Sequence, residues 1–131
     1  MKNNRYRKVL LIDDNEIDNF INERMITSSG FSAEVIVKNS ADAALDFLKT
    51  LTKEEDYPAI IFLDLNMPIK DGFAFLEEYE FITDTIKNYS KIVVLSSSIS
   101  PDDISRASTN AHVFKYVNKP LGEKYLDAIN L

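Results

Sequence analysis

Three carboxylates and one amine in this chain stand where buried strands would end. The apolar run Ala59-Ile60-Ile61-Phe62-Leu63 meets Asp64, and Val9-Leu10-Leu11-Ile12 meets Asp13-Asp14. Further on, Ile92-Val93-Val94-Leu95 ends in Ser96-Ser97-Ser98, and Val113-Phe114-Lys115-Tyr116-Val117 leads to Asn118-Lys119-Pro120. Laid parallel and side by side, these strands gather acid, acid, hydroxyl and amine at one edge of a sheet. Magnesium takes oxygen ligands, keeps several waters, and commonly binds one or two carboxylates together with a phosphate; Asp13, Asp14 and Asp64 suit it. Without a cation, neighbouring carboxylates raise one another's pKa; with one, all can stay ionised at neutral pH. Asp64 could then attack a phosphoryl group and form an acyl phosphate. Lys119 and Ser96 would meet the phosphoryl oxygens, which is sufficient in principle because phosphoryl transfer demands mainly positioning and charge neutralisation.

Each signal also has a plainer reading. Asp13 and Asp14 could cap a helix, Asp64 could be a turn residue, Ser96 to Ser98 a polar loop, and Lys119-Pro120 an ordinary turn. Their joint placement after four strands is what points to a site.

The elements that must position these groups follow from hydrophobic pattern. Short apolar runs at 9–12, 59–63 and 92–95 read as strands buried on both faces, with weaker candidates at Ala33-Glu34-Val35-Ile36-Val37 and 113–117. Helical spacing links Ile17, Phe20, Ile21 and Met25, closed by Gly30. It links Ala44, Leu45 and Leu48 after a Ser40 cap, and Phe73, Leu76, Tyr79 and Phe81 after Asp71-Gly72. Leu121, Tyr125 and Ile129 give the last helix one apolar stripe. The helix opened by Ser100-Pro101-Asp102-Asp103 starts well. Its body, Ile104 to Asn110, holds poor helix formers and two apolar anchors, so it should shift cheaply. Five βα units predict an α/β fold, a parallel sheet covered on both faces with functional groups at the carboxyl ends of its strands. Lys53-Glu54-Glu55-Asp56 reads as a solvated loop.

The chain's 131 residues fit one domain over 1–131. A formal charge of −6 argues against nucleic acid as a partner, since phosphate neutralisation needs clustered Lys and Arg. There is no cysteine, which removes disulfides, thiolate metal sites and cysteine nucleophiles and fits a reducing cytoplasm. The basic N-terminus is followed by only four apolar residues before Asp13, so neither a signal peptide nor a membrane span is expected.

Taken together, Ile12-Asp13-Asp14, Leu63-Asp64-Leu65-Asn66-Met67-Pro68 with Asp71-Gly72, Val94-Leu95-Ser96-Ser97 and Tyr116-Val117-Asn118-Lys119-Pro120 resemble the receiver domain of two-component response regulators. The match spans nearly the whole chain. The resemblance implies a flavodoxin-like fold, a doubly wound five-stranded parallel sheet of order 2-1-3-4-5 with five helices and the site at its switch point. It implies Asp64 as phosphoacceptor, with Mg2+ held by the side chains of Asp14 and Asp64 and the backbone carbonyl of Asn66, and Asp13 acting largely through a metal-bound water. It further implies that Lys119 pairs with the phosphoryl group, that the Lys119–Pro120 bond is cis, that Ser96 is the switch hydroxyl, and that Tyr116 is the switch aromatic. The phosphodonor would be a histidine kinase or a histidine phosphotransfer protein, with an unknown downstream protein as output partner.

Two features depart from the family pattern. The switch position often carries threonine; three serines stand here, with Ser96 preferred over Ser97, and Ser lacks the methyl that stiffens χ1. The sequence ends at Leu131 without an output domain, so signal is expected to leave through the helix after Ser100, the strand at 113–117 and the last helix, with Lys115, Tyr116 and Tyr125 as candidates. The lone His112 lies in a loop and reads as no phosphorelay residue. The alternative reading is a phosphorylation-independent pseudo-receiver interaction module, which the intact acids and Lys119 count against. A haloacid-dehalogenase-type hydrolase would want a second Asp two residues after the nucleophile, where Asn66 stands, so the module is expected to catalyse only its own phosphorylation and dephosphorylation.

Overall fold

A computed structural model describes residues 5–129. Five strands, β1 (Tyr6–Ile12), β2 (Ser32–Lys38), β3 (Ile60–Leu63), β4 (Lys91–Ser96) and β5 (Val113–Asn118), pair in parallel in the order β2-β1-β3-β4-β5. The helices are α1 (Glu16–Ser28), α2 (Ala41–Thr50), α3 (Gly72–Tyr79), α4 (Asp84–Tyr89), α5 (Pro101–Ser108) and α6 (Glu123–Ala128). The acidic stretch before Tyr57 forms one 3-10 turn, Glu54–Asp56, with no buried residue.

The apolar runs form strands because both of their faces are covered. Side chains alternate across a strand. Leu10, Ile12, Ile61, Leu63, Ile92 and Val94 therefore join Leu45, Leu48, Phe75 and Tyr79 from α2 and α3 on one side. Val9, Leu11, Ile60, Phe62, Val93 and Leu95 join Ile26, Leu121, Leu126 and Ile129 on the other. Caps stand where expected: the Ser40 hydroxyl accepts the N–H of Ala43, Asp71 that of Ala74, and Ser100 that of Asp103. Gly30, with φ of 79°, follows the end of α1 and turns the chain into β2.

Three helical expectations are corrected. In α1 most of the apolar stripe faces water: Ile17, Phe20 and Ile21 are exposed and Met25 alone of the four packs on the core, while Asn19, Asn22 and Ile26 are buried. Near the sheet's carboxyl edge this helix packs through polar groups, and the Asn19 amide donates 2.8 Å to the carbonyl of Asp13. Second, α3 stops at Tyr79, leaving Phe81 exposed. The chain then makes a sixth helix, α4, anchored by buried Ile86; one buried apolar residue gives no period to read. Third, the last helix buries Leu126 beside Leu121 and Ile129, and Tyr125 is 47% exposed. The helix after Ser100, α5, buries Ala107 alone, consistent with weak anchoring.

The loop from β3 to α3 holds Ile69 at φ 68° with its side chain fully in solvent. A β-branched residue in this left-handed region is strained by roughly 1–2 kcal/mol, which Asn largely escapes. Ile69→Asn is expected to stabilise the fold by about 1 kcal/mol, read as a higher urea midpoint at unchanged slope.

Candidate functional site

Backbone pairing places the acids before any side chain acts. Strands β1 and β3 are neighbours with Ile12 opposite Leu63, so the next residues, Asp13 and Asp64, emerge side by side. The ladder continues past the strands: the Asp64 N–H donates to the Ile12 carbonyl at 3.0 Å and the Asp13 N–H to the Lys38 carbonyl at 3.2 Å. From β1 one crossover leads outward to β2 and the next returns to β3 on the other side, which makes this edge the switch point. Gly72 closes the back of the loop. Its N–H donates to the Leu65 carbonyl at 3.0 Å, and a Cβ there would lie 2.7 Å from the Asp64 carbonyl oxygen and 2.8 Å from Leu65 Cα. Only glycine lets α3 approach so closely.

One carboxylate oxygen from each of Asp13, Asp14 and Asp64 lies within 4.8 Å of the others. Asp13 and Asp64 are buried and Asp14 is exposed. Burial, and next the Asp13 charge, push the Asp64 carboxyl up from 3.8 to about 6; Lys119 and the Asn66 backbone N–H oppose the rise, and Asp14 adds to it. The Lys119 ammonium donates to Asp13 Oδ2 at 2.6 Å and Asp18 Oδ2 at 2.9 Å, and stands 3.7 Å from Asp64 Oδ1. Burial disfavours its charge, but the bonds to Asp13 and Asp18 and the charges of Asp64 and Asp13 outweigh that and raise its pKa. Asp13 Oδ1 accepts the Asn15 N–H at 3.0 Å, so both Asp13 oxygens are engaged. Asp64 Oδ1 is buried without a hydrogen-bond partner. A buried bare carboxylate oxygen beside two further carboxylates is a donor set that fits a hard divalent cation.

The remaining candidates sit around this cluster. Ser96 ends β4 and is fully buried; its hydroxyl accepts the Ser98 N–H at 3.1 Å, and its carbonyl accepts the Lys119 N–H at 2.9 Å. Ser97 is exposed and lines a recess of about 250 Å³ with Asp18, Ile21, Asn22, Lys119 and Pro120. The Lys119–Pro120 bond is cis. Asn66 is exposed in the loop after β3. Tyr116 lies outside the acid cluster, its half-buried ring turned so that the hydroxyl donates 2.8 Å to the Ser98 carbonyl. His112 precedes β5, at the opposite edge of the sheet, where its ring pairs with Glu80 and meets Tyr79 edge-on. Sequence reasoning missed Asn15, which caps α1 by accepting the Asp18 N–H, and Asp18 itself. No local signal marks Asp18, since its partner is the distant Lys119.

The sequence profile described as "Response regulator receiver domain" matches residues 9–129. The chain belongs to this family. Response regulator Rcp1 of Synechocystis is 32% identical over 120 residues, covering 90% of this chain and 80% of Rcp1. Sensory/regulatory protein RpfC of Xanthomonas campestris is 32% identical over 95% of this chain, which spans only 16% of that longer protein. Among solved structures, a two-component response regulator from Cytophaga hutchinsonii superposes with a TM-score of 0.87 at 34% identity, covering 94% of this chain and 92% of the other. The Mn(2+)-bound form of Rcp1 superposes at 0.74 with 28% identity, covering 94% and 91%. The receiver fold, its strand order and its acidic triad are therefore present here, and no helix of the described residues is long and apolar enough to cross a membrane.

The Asp64 carboxyl makes this receiver's stability depend on pH. Its folded pKa lies above the ordinary value, so the folded state binds the proton more tightly. That contribution is complete below the ordinary pKa of 3.8 and is lost as pH rises through about 6. The difference corresponds to about 3 kcal/mol. In metal-free buffer at neutral pH, Asp64→Asn is expected to be more stable than wild type by about 2–3 kcal/mol, the gap closing near pH 4. Urea unfolding across that range measures it.

Proposed function

We propose that this receiver accepts a phosphoryl group on Asp64 from a phosphohistidine of a histidine kinase or histidine phosphotransfer protein, with Mg2+ as cofactor. The observation that carries this reading is the buried Asp64 Oδ1, hydrogen-bonded by no described residue and flanked by Asp13, Asp14 and Lys119. Asp64 attacks phosphorus, the P–N bond of the donor breaks, and the imidazole leaves with the electron pair and takes a proton from solvent. Asp14 and Asp64, with the Asn66 backbone carbonyl, would hold the ion; Asp13, already bonded through both oxygens, would reach it through water. When bound, the cation neutralises the acids and the incoming phosphoryl oxygens.

Lys119 would pair with the phosphoryl group, and Ser96 would turn its hydroxyl toward it. That turn releases the Ser98 N–H, and the Ser98 carbonyl already holds the Tyr116 hydroxyl, so loop and ring move together. The adjoining α5 follows readily, being held by Ala107 and by the Arg106 guanidinium stacked 4.0 Å over Phe73. Phosphorylation biases two packings only by its differential interaction with them. The output surface is α5, β5 and α6, where Phe114 and Tyr125 are exposed. The exposed Ile17, Phe20 and Ile21 on α1, whose Asp18 borders the acids, form the face for the donor protein. We read the unit as one cytoplasmic receiver signalling by protein contact, without nucleic acid as ligand.

Intact mass after incubation with acetyl phosphate and Mg2+ tests this. One added phosphoryl group is expected on wild type, and none on Asp64→Asn or with a chelator. No adduct, together with no Mg2+-dependent gain in thermal stability, would replace phosphotransfer with the pseudo-receiver reading. Turnover of external phosphoesters is expected to be absent.

A further inference from the structure

An ammonium carries three hydrogens and no acceptor. Lys119 spends two of them on Asp13 Oδ2 at 2.6 Å and Asp18 Oδ2 at 2.9 Å, and this holds its nitrogen 3.7 Å from Asp64 Oδ1, outside hydrogen-bond range. The Asp64 oxygen is consequently bare. Asp18 is placed for this by its own backbone: the Asn15 side chain accepts its N–H at 2.9 Å, and the next residue, Asn19, donates 2.8 Å to the Asp13 carbonyl. The first turn of α1 is thereby tied to the end of β1. The Asp18 side chain is 37% exposed, against 13% for Lys119 and 5% for Asp64. It is separated from Lys119 by 101 residues of chain.

We propose that Asp18 is a positioning residue that parks Lys119 beside Asp64 without letting it bond there. A carboxylate oxygen that accepts an ammonium hydrogen has its lone pair engaged and attacks phosphorus poorly, so parking keeps Asp64 competent. Once the phosphoryl group is on Asp64, Asp18 competes with it for the same ammonium and shortens the life of the phosphorylated state. The role rests on Lys119 serving the phosphoryl group, as argued above. A plain alternative is an acid favoured by the helix dipole and joined to Lys119 in a pair of little consequence. That alternative moves neither the Asp64 oxygen nor the kinetics.

Asp18→Asn and Asp18→Glu separate the two. In labelled, unphosphorylated, metal-free protein, NMR reads the Lys119 ammonium and the Asp64 carboxyl carbon. Asp18→Asn is expected to shift the Asp64 carbon and to create a hydrogen-bond coupling from Lys119 to it; Asp18→Glu keeps the wild-type pattern. With acetyl phosphate and Mg2+, Asp18→Asn is expected to lower the maximal phosphorylation rate about tenfold, within the reach of one charged hydrogen bond. Donor half-saturation stays unchanged or falls, the adduct is lost more slowly, and Asp18→Glu restores the rate. An unmoved Asp64 carbon, a rate within about twofold of wild type, or a Glu variant no better than Asn would overturn the proposal. If wild type takes no phosphoryl group and gains no thermal stability from Mg2+, the phosphoacceptor reading fails, and the NMR measurement still decides whether Asp18 parks Lys119.

Discussion

The constraint on which this molecule turns is the forced proximity of like charges at the carboxyl ends of β1 and β3. Parallel pairing in register leaves no freedom: with Ile12 opposite Leu63, Asp13 and Asp64 must emerge as neighbours. Ordinary packing would avoid this, since two buried carboxylates cost several kcal/mol unless paired or protonated. Here one of the two is relieved more fully than the other. Asp13 has the Asn15 N–H and the Lys119 ammonium; Asp64 has an oxygen without a partner and a pKa raised to about 6. The less relieved residue keeps a buried oxygen free of hydrogen bonds, so the electrostatic cost is concentrated at Asp64.

Much of the surrounding structure serves to keep that arrangement from relaxing. Gly72 admits α3 against the Asp64 carbonyl, where a Cβ would meet backbone at 2.7 Å. Asn15 and Asn19 tie α1 to the other side of the pocket. This explains an oddity of α1, which buries two asparagines and exposes Ile17, Phe20 and Ile21. The helix is oriented by what the site needs from its inner face, and Ile17, Phe20 and Ile21 are left facing solvent.

How far sequence could foresee this depends on where the determining interactions lie. The strands were legible because β1, β3 and β4 are buried on both sides, and an unbroken apolar run ending in a polar residue marks both strand and edge. The caps Ser40, Asp71 and Ser100 were legible because capping is local. Asp13, Asp14 and Asp64 were legible as a group once parallel pairing was assumed. The facing of α1 and the burial of Leu126 in the last helix were not, because periodicity identifies a stripe without saying which stripe meets the sheet. Nor was Asp18, whose partner lies 101 residues away, beyond four intervening strands. Receiver resemblance supplied roles for Ser96 and Tyr116; it carried nothing about the Tyr116 hydroxyl being held by the Ser98 carbonyl.

The two edges of the sheet also differ in how firmly they are closed, and this decides where a change in charge at Asp64 can be felt. At the amino edge His112 is braced by Glu80 and Tyr79, and the buried Ser90 hydroxyl donates 2.6 Å to the Pro58 carbonyl. At the carboxyl edge, the β2 side is tied by the Asp13 ladder bond to Lys38. The β4–α5 loop is held by single side-chain hydrogen bonds: the Ser98 N–H to Ser96, the Ser98 hydroxyl to Asp103, the Ser100 N–H to Ser98, and the Tyr116 hydroxyl to the Ser98 carbonyl. Each is worth about 1 kcal/mol, far less than the packing of β3 with all four residues buried. Of the elements that border Asp64, this loop and α5 are therefore the ones held by the least energy.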